Sequence, residues 1–160
     1  MTLDIAFRSE ADRSLGSRIL KVNHAGEHGA VCIYTGQIHV ARLTAPGMLL
    51  SLRAFRADER RHRALFGAEL QRRGRPRCRS YWLCGIGGYV LGFVTGMCGA
   101  RAFAARSVAV ESVVLRHLEH QLVTLRDVDP AAVAAIADIV AEEQQHHDAS
   151  AVHVADTDAW

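Results

Sequence analysis

Glu59-Arg60-Arg61-His62 and Glu143-Gln144-Gln145-His146 each set a carboxylate and an imidazole three positions apart. On an α-helix that spacing puts both groups on one face, about one turn apart. Each motif is preceded by a further glutamate at the same distance, Glu27 lying 32 residues before Glu59 and Glu111 lying 32 residues before Glu143. With eight Glu and nine His in the chain, one Glu-x-x-His arises easily by chance and reads as surface charge or a satisfied core group. A second copy at matched spacing is not explained that way. Glu27, Glu59, His62, Glu111, Glu143 and His146 together offer hard oxygen donors and imidazole nitrogens, which suit iron or manganese better than a thiophilic zinc site.

These groups meet only if four helices hold them at one depth. Leu15, Ile19, Val22, Ala30, Ile33 and Ile38 recur at helical intervals over residues 10–43, and Met48 to Arg73 carries a second apolar face that Gly74-Arg75-Pro76 ends. Thr44-Ala45-Pro46-Gly47 separates the two. Ser107 to Arg126 and Ala131 to about Val154 read as two more helices, divided by Asp127-Val128-Asp129-Pro130, where Asp129 can cap and Pro130 can occupy the first helical position. No stretch shows convincing strand alternation. In an antiparallel pair, two residues are level when the turn falls midway between them, and the midpoints here, 43 and 127, coincide with the two turn signals. The sequence thus predicts an all-α four-helix bundle. One Glu from each of two helices and Glu-x-x-His from each of the others is the ligand set of di-iron and di-manganese carboxylate bundles.

Between the helix pairs, about 10–74 and 107–154, runs a connector over 75–106. Its centre, Tyr81 to Ala100, has no charged residue and carries Gly88, Gly92, Gly96 and Ala100 every four positions, a stripe that permits close helix approach. The length alone would permit a membrane span. A span, however, would leave Glu27 and Glu59 on one side and Glu111 and Glu143 on the other, so the reading is a crossover helix that packs on the bundle and lies at a membrane surface. Twenty helical residues cover about 30 Å, enough to return along such a bundle.

Length and composition fit one domain over 1–160: 49% hydrophobic residues, 13 Gly and a formal net charge of +2 exclude collagen-like and disordered chains. Ten Arg lie between Arg53 and Arg79, against eight acids and no Lys or Arg from Asp127 onward. The arginines interleave with Leu52, Phe55, Leu65, Phe66 and Leu70 at helical spacing, so they read as a solvated helix face, with contact to an anionic membrane surface or nucleic acid as the alternative and the membrane the one that a water-insoluble substrate would favour. Cys32, Cys78, Cys84 and Cys98 show no Cys-x-x-Cys spacing and are expected to be small core residues. Met1 to Ser9 carries no secretory or transit signal, so the expected location is peripheral, on the cytoplasmic face of the cell membrane.

Leu20-Lys21-Val22-Asn23-His24-Ala25-Gly26-Glu27-His28-Gly29-Ala30, followed by Ile33-Tyr34-Thr35-Gly36-Gln37, resembles the first-helix motif of the demethoxyubiquinone hydroxylase family. Ala109-Val110-Glu111 with His117 and Gln121, and Glu142-Glu143-Gln144-Gln145-His146-His147-Asp148, resemble its later motifs, and the resemblance extends along most of the chain. It implies a ferritin-like di-iron monooxygenase of ubiquinone biosynthesis that adds a ring hydroxyl to a polyprenylated demethoxybenzoquinone or its quinol. The implied metal ligands, for two Fe ions per chain, are Glu27, Glu59, His62, Glu111, Glu143 and His146. The chain departs from the family at His28 and Leu118, where the family commonly has Tyr, so no role of those tyrosines carries over. His117 lies six residues after Glu111, on another part of the helix face, and reads as a neighbour of the ligands or as a core residue.

The partners expected are the quinone or quinol, O₂, a membrane surface, an electron donor such as NADH or a reductase, and a possible second copy of the chain. Rival readings are hydroxylation at another ring position, a ferroxidase or iron-binding bundle, and a lipid-binding module with a vestigial site.

Overall fold

Helix α1 runs Thr2–Thr44, α2 Leu49–Arg72, α3 Tyr81–Met97, α4 Ala100–Leu125 and α5 Pro130–Asp158, with a single 3₁₀ turn, Pro46–Met48, between the first two. The computed structural model describes the backbone of residues 2–158 and the side chains of residues 14–148 except 101 and 104; among the described residues there is no strand. α1 pairs with α2, α4 pairs with α5, and α3 lies along α1. This is the expected ferritin-like bundle with an apolar, Gly-rich crossover helix.

The helix ends follow local chemistry. Pro46 cannot continue α1 with a backbone donor. Gly74, at φ +62, closes α2 by sending its N–H to the Gln71 carbonyl at 2.9 Å, while Arg75 N–H reaches the Leu70 carbonyl at 2.9 Å. At the start of α5, Asp129 Oδ1 accepts the Ala132 N–H at 3.1 Å, and Pro130 takes the first helical position. Asp129 also receives two N–H groups from Arg73, at 2.5 and 2.9 Å, which pins the end of α2 to the turn between α4 and α5.

Three sequence expectations shift. The helix expected to follow the connector from Ser107 begins already at Ala100, because Gly99, at φ +82, makes the reversal between α3 and α4 within two residues. The small-residue stripe is Gly85, Gly88, Gly92 and Gly96, all buried, whereas Ala100 already belongs to α4. The stripe meets a complementary row on α1: a methyl on Gly88 would overlap Gly29, and one on Gly92 would overlap the Ile33 carbonyl. Backbone thus lies against backbone, which only glycine permits. The cysteines do not fill the core as expected: Cys32, Cys78 and Cys84 are half-buried, Cys98 is exposed, and all four are free thiols.

The interior is layered along the bundle. Leu20, Phe66, Leu70, Leu118, Leu125, Ala132, Ile136 and Ile139 form one apolar cluster, and Tyr34, Ile38, Ala41, Ala45, Leu52 and Phe103 form another. Along α1, α2 and α4 the polar residues of the next section fall between these two layers in sequence.

Candidate metal centre

All six candidate ligands are buried: Glu27, Glu59 and His62 from the first helix pair, Glu111, Glu143 and His146 from the second. One ligand atom from each of Glu27, Glu59, His62 and Glu143 lies within 4.8 Å of the others. His62 Nδ1 faces Glu143 Oε1 at 3.1 Å, Glu59 Oε2 at 3.7 Å and Glu27 Oε2 at 3.9 Å. His146 Nδ1 is 4.0 Å from Glu59 Oε1, and its ring centroid is 6.2 Å from that of His62. Glu111 joins from α4, accepting the Tyr34 hydroxyl at 3.0 Å and lining the same cavity as Glu27, Glu59 and Glu143. The structure thus gathers Glu27, Glu59, His62 and Glu143 into one group, with His146 beside Glu59 and Glu111 on the cavity side.

The electrostatics are those of a cation site. Burial pushes the Glu27 carboxyl well above the usual range, and the adjacent Glu59 and Glu143 push it further. Burial also raises Glu111 to about 7, and raises Glu143 with help from Glu59. Burial opposes a charge on His62, but the surrounding carboxylates of Glu143, Glu59 and Glu142 outweigh it and hold the ring up to about 10. Carboxylates packed this closely must keep protons or bind a cation. Three buried polar atoms in this cluster, His62 Nδ1, His146 Nδ1 and Glu111 Oε2, have no hydrogen-bond partner. Unsatisfied buried donors and acceptors are costly, and a metal bound among them would satisfy all three. The donor set fits the metal pair that the resemblance implies.

Residues outside the sequence-level set complete the surroundings. His62 Nε2–H donates to Glu142 Oε2 at 2.8 Å and His146 Nε2–H donates to Asp58 Oδ2 at 3.1 Å. Arg61 joins the two carboxylates, bonding both oxygens of Glu142 and, at 3.3 Å, Asp58 Oδ1. Arg61 above all, with help from His62, holds Glu142 down to about 2 against the opposing effect of burial. Such outer partners fix which ring nitrogen is free to ligate, here Nδ1 of both histidines. The acid directly before each motif glutamate was the available signal.

A cavity of about 510 Å³, mostly apolar, opens between α1, α3 and α4 and reaches Glu27, Glu59, Glu111 and Glu143. His117 is exposed on its wall. His28 turns away toward α3, its ring stacked on Tyr81 at 4.1 Å and its Nδ1 facing Arg63 Nη1 at 3.3 Å. Leu118 is buried in the apolar cluster with Phe66. No helix among the described residues is long and apolar enough to cross a membrane.

The chain is similar to the NADPH-dependent 3-demethoxyubiquinone 3-hydroxylase of Dictyostelium discoideum, with 37% identity over 75% of this chain and 54% of that protein. The human protein of the same name is 33% identical over 98% of this chain and 70% of its own length. The 3-demethoxyubiquinol 3-hydroxylase of Rhodospirillum rubrum is 35% identical over 84% of this chain and 63% of its own length. The chain thus spans between about half and 70% of these relatives. The profile of the family described as ubiquinone biosynthesis protein COQ7 matches residues 14–159, which carry every ligand candidate and the whole cavity wall, and the chain belongs to that family.

Proposed function

We propose that this chain is an O₂-dependent hydroxylase of ubiquinone biosynthesis, which adds a hydroxyl to the ring of a polyprenylated demethoxybenzoquinol. The observation that carries this reading is the apolar cavity of about 510 Å³ that ends on four buried glutamates, two of them belonging to the Glu-x-x-His motifs. A hydrophobic ring enters an apolar slot, and only at its inner end meets groups that can hold a metal. Glu27, Glu59, His62, Glu111, Glu143 and His146 would hold a pair of iron ions. Bound there, the irons would supply the reduction of O₂ and the oxidant that attacks the ring.

The chain's own residues set the conditions. Leu91, Val110, Val113 and Val114 give the slot its apolar wall. Tyr34 commits its hydroxyl proton to Glu111, and burial raises its ionisation far above the ordinary phenol range, so it stays a hydrogen-bond donor. Asp58 and Glu142 orient the two imidazoles from outside. An electron donor is required in addition, and a reduced nicotinamide dinucleotide is favoured by the names of the mitochondrial relatives.

A membrane surface is the proposed source of the water-insoluble substrate. The face of α3 turned away from α1 exposes Trp82, Leu83, Ile86, Val90, Val94 and Met97, an apolar strip on the helix that also walls the cavity. The test is turnover: the iron-loaded chain, given a short-tailed demethoxyubiquinol, a reductant and O₂, yields a product heavier by one oxygen atom. Glu143→Ala yields none while keeping its helix content. An unchanged quinol, or a fully active Glu143→Ala variant, contradicts the reading.

A further inference from the structure

Among the described residues, Arg106 carries the single guanidinium or ammonium group on the wall of the active cavity, five residues before Glu111 on α4. Its guanidinium carbon lies 4.9 Å from the centre of the Tyr34 ring, and Nη2 donates to Ser107 Oγ at 2.8 Å. Its Nε is buried and has no hydrogen-bond partner, and no carboxylate among the described residues forms an ion pair with it. Arg106 is half-buried, and Glu111 feels its charge without being hydrogen-bonded to it. A guanidinium has five N–H donors in a planar fork, and a buried N–H left without an acceptor is unfavourable. The nearest polar neighbours do not satisfy it. Tyr34 presents its ring face to the cation and gives its hydroxyl to Glu111, and Ser107 accepts only one N–H. What remains is a half-buried positive group on the wall of an apolar slot that also reaches Glu27, Glu59, Glu111 and Glu143.

We infer that Arg106 is a substrate-binding residue whose guanidinium receives a ring oxygen of the quinol, setting the orientation of the ring in the cavity. This rests on the quinol reading given above. The chemistry fits: a hydroquinone oxygen is an acceptor that gains negative character on ionisation, and charge-assisted hydrogen bonds to guanidinium are stronger than neutral ones. An arginine in this place selects for an oxygenated ring over a plain hydrocarbon ring, a distinction that apolar walls cannot make. It does so through the buried Nε–H, which lacks an acceptor when the oxygen is missing and meets only a weak, non-ionisable one when it is capped.

The test is a binding cycle on the full, iron-loaded chain under anaerobic conditions, so that no turnover occurs. A short-tailed demethoxyubiquinol is compared with its 1,4-dimethyl ether, which keeps the ring and tail but caps both ring oxygens. The parent chain is expected to bind the quinol about tenfold more tightly than the ether. Arg106→Met should abolish that preference and leave ether affinity unchanged within about twofold, whereas Arg106→Lys should keep part of it. Iron content and helicity are measured for each variant. A preference that survives Arg106→Met, or a parent chain that binds both compounds equally, overturns the inference while leaving the cavity reading intact. An Arg106→Met chain that loses iron but keeps the preference makes Arg106 a counter-charge to the glutamates and also overturns it. If neither compound binds the parent chain, the quinol reading fails and this inference fails with it.

Discussion

Asp58 and Glu142 each stand directly before one motif glutamate, yet each serves the histidine of the opposite helix: Asp58 bonds His146, and Glu142 bonds His62. The arrangement stitches α2 to α5 and presents the Nδ1 atoms of both rings to the carboxylates. Replacing Glu142 by Gln, or Asp58 by Asn, is expected to weaken iron binding about 10–100-fold without loss of helicity. Competition with a chelator of known affinity measures this, and unchanged binding would mean that the outer carboxylates do not govern the rings. The inner residues were legible because their spacing repeats along the chain. The crossed pairing was not, since adjacency in sequence says nothing about which partner helix a side chain faces. Arg106 was equally hidden: as a residue number it is one more arginine, and only the packing of α4 near Tyr34 places it on the cavity wall.

Among the helices, the end of α2 and the start of α5 depend on one buried pair. Burial opposes the charge on Asp129, but Arg73 and the Ala132 N–H outweigh it and hold its carboxyl below the usual range. A carboxyl held lower in the folded than in the unfolded chain stabilises the fold at pH above about 3.9, and that contribution disappears as pH falls through the folded value. Asp129→Asn is therefore expected to lower stability at pH 7 by about 1.5–3 kcal/mol and to flatten the acid side of the stability curve below about pH 4. Chemical denaturation across pH checks this, and equal acid sensitivity in both proteins would contradict it. The cap at Asp129, the stop at Gly74 and the turn at Pro46 were all visible in the sequence, because those residues act within a few positions of themselves. The start of α4 was not: a Gly99 that reverses the chain in one step looks, as text, like any other glycine in a Gly-rich run.

For the whole molecule, α3 is the helix with an uncovered apolar face. Its glycines bury one face against α1 while Trp82 and Leu83 remain 65% and 71% exposed on the other. The stripe of small residues announced a close contact, but only the fold identifies α1 as the surface contacted. Arg75, Arg77 and Arg79 are exposed just ahead of this helix, so lipid binding is expected to be strongest on anionic vesicles and to fall as salt rises. Ile86→Glu should weaken it about tenfold, since it puts a charge into the apolar strip and leaves the basic residues in place. Co-sedimentation with vesicles measures both effects, and binding indifferent to salt and to Ile86→Glu would remove α3 as the docking face.

The central claim, that Glu27, Glu59, His62, Glu111, Glu143 and His146 form one dinuclear site, is tested most directly by Mössbauer spectroscopy. The full chain would be reconstituted anaerobically with isotopically labelled ferrous iron and then oxidised. The account predicts about two irons per chain in a magnetically coupled ferric pair, and loss of that signal in Glu143→Ala at unchanged helicity. A single uncoupled iron per chain, or a coupled pair that persists in Glu143→Ala, would contradict it.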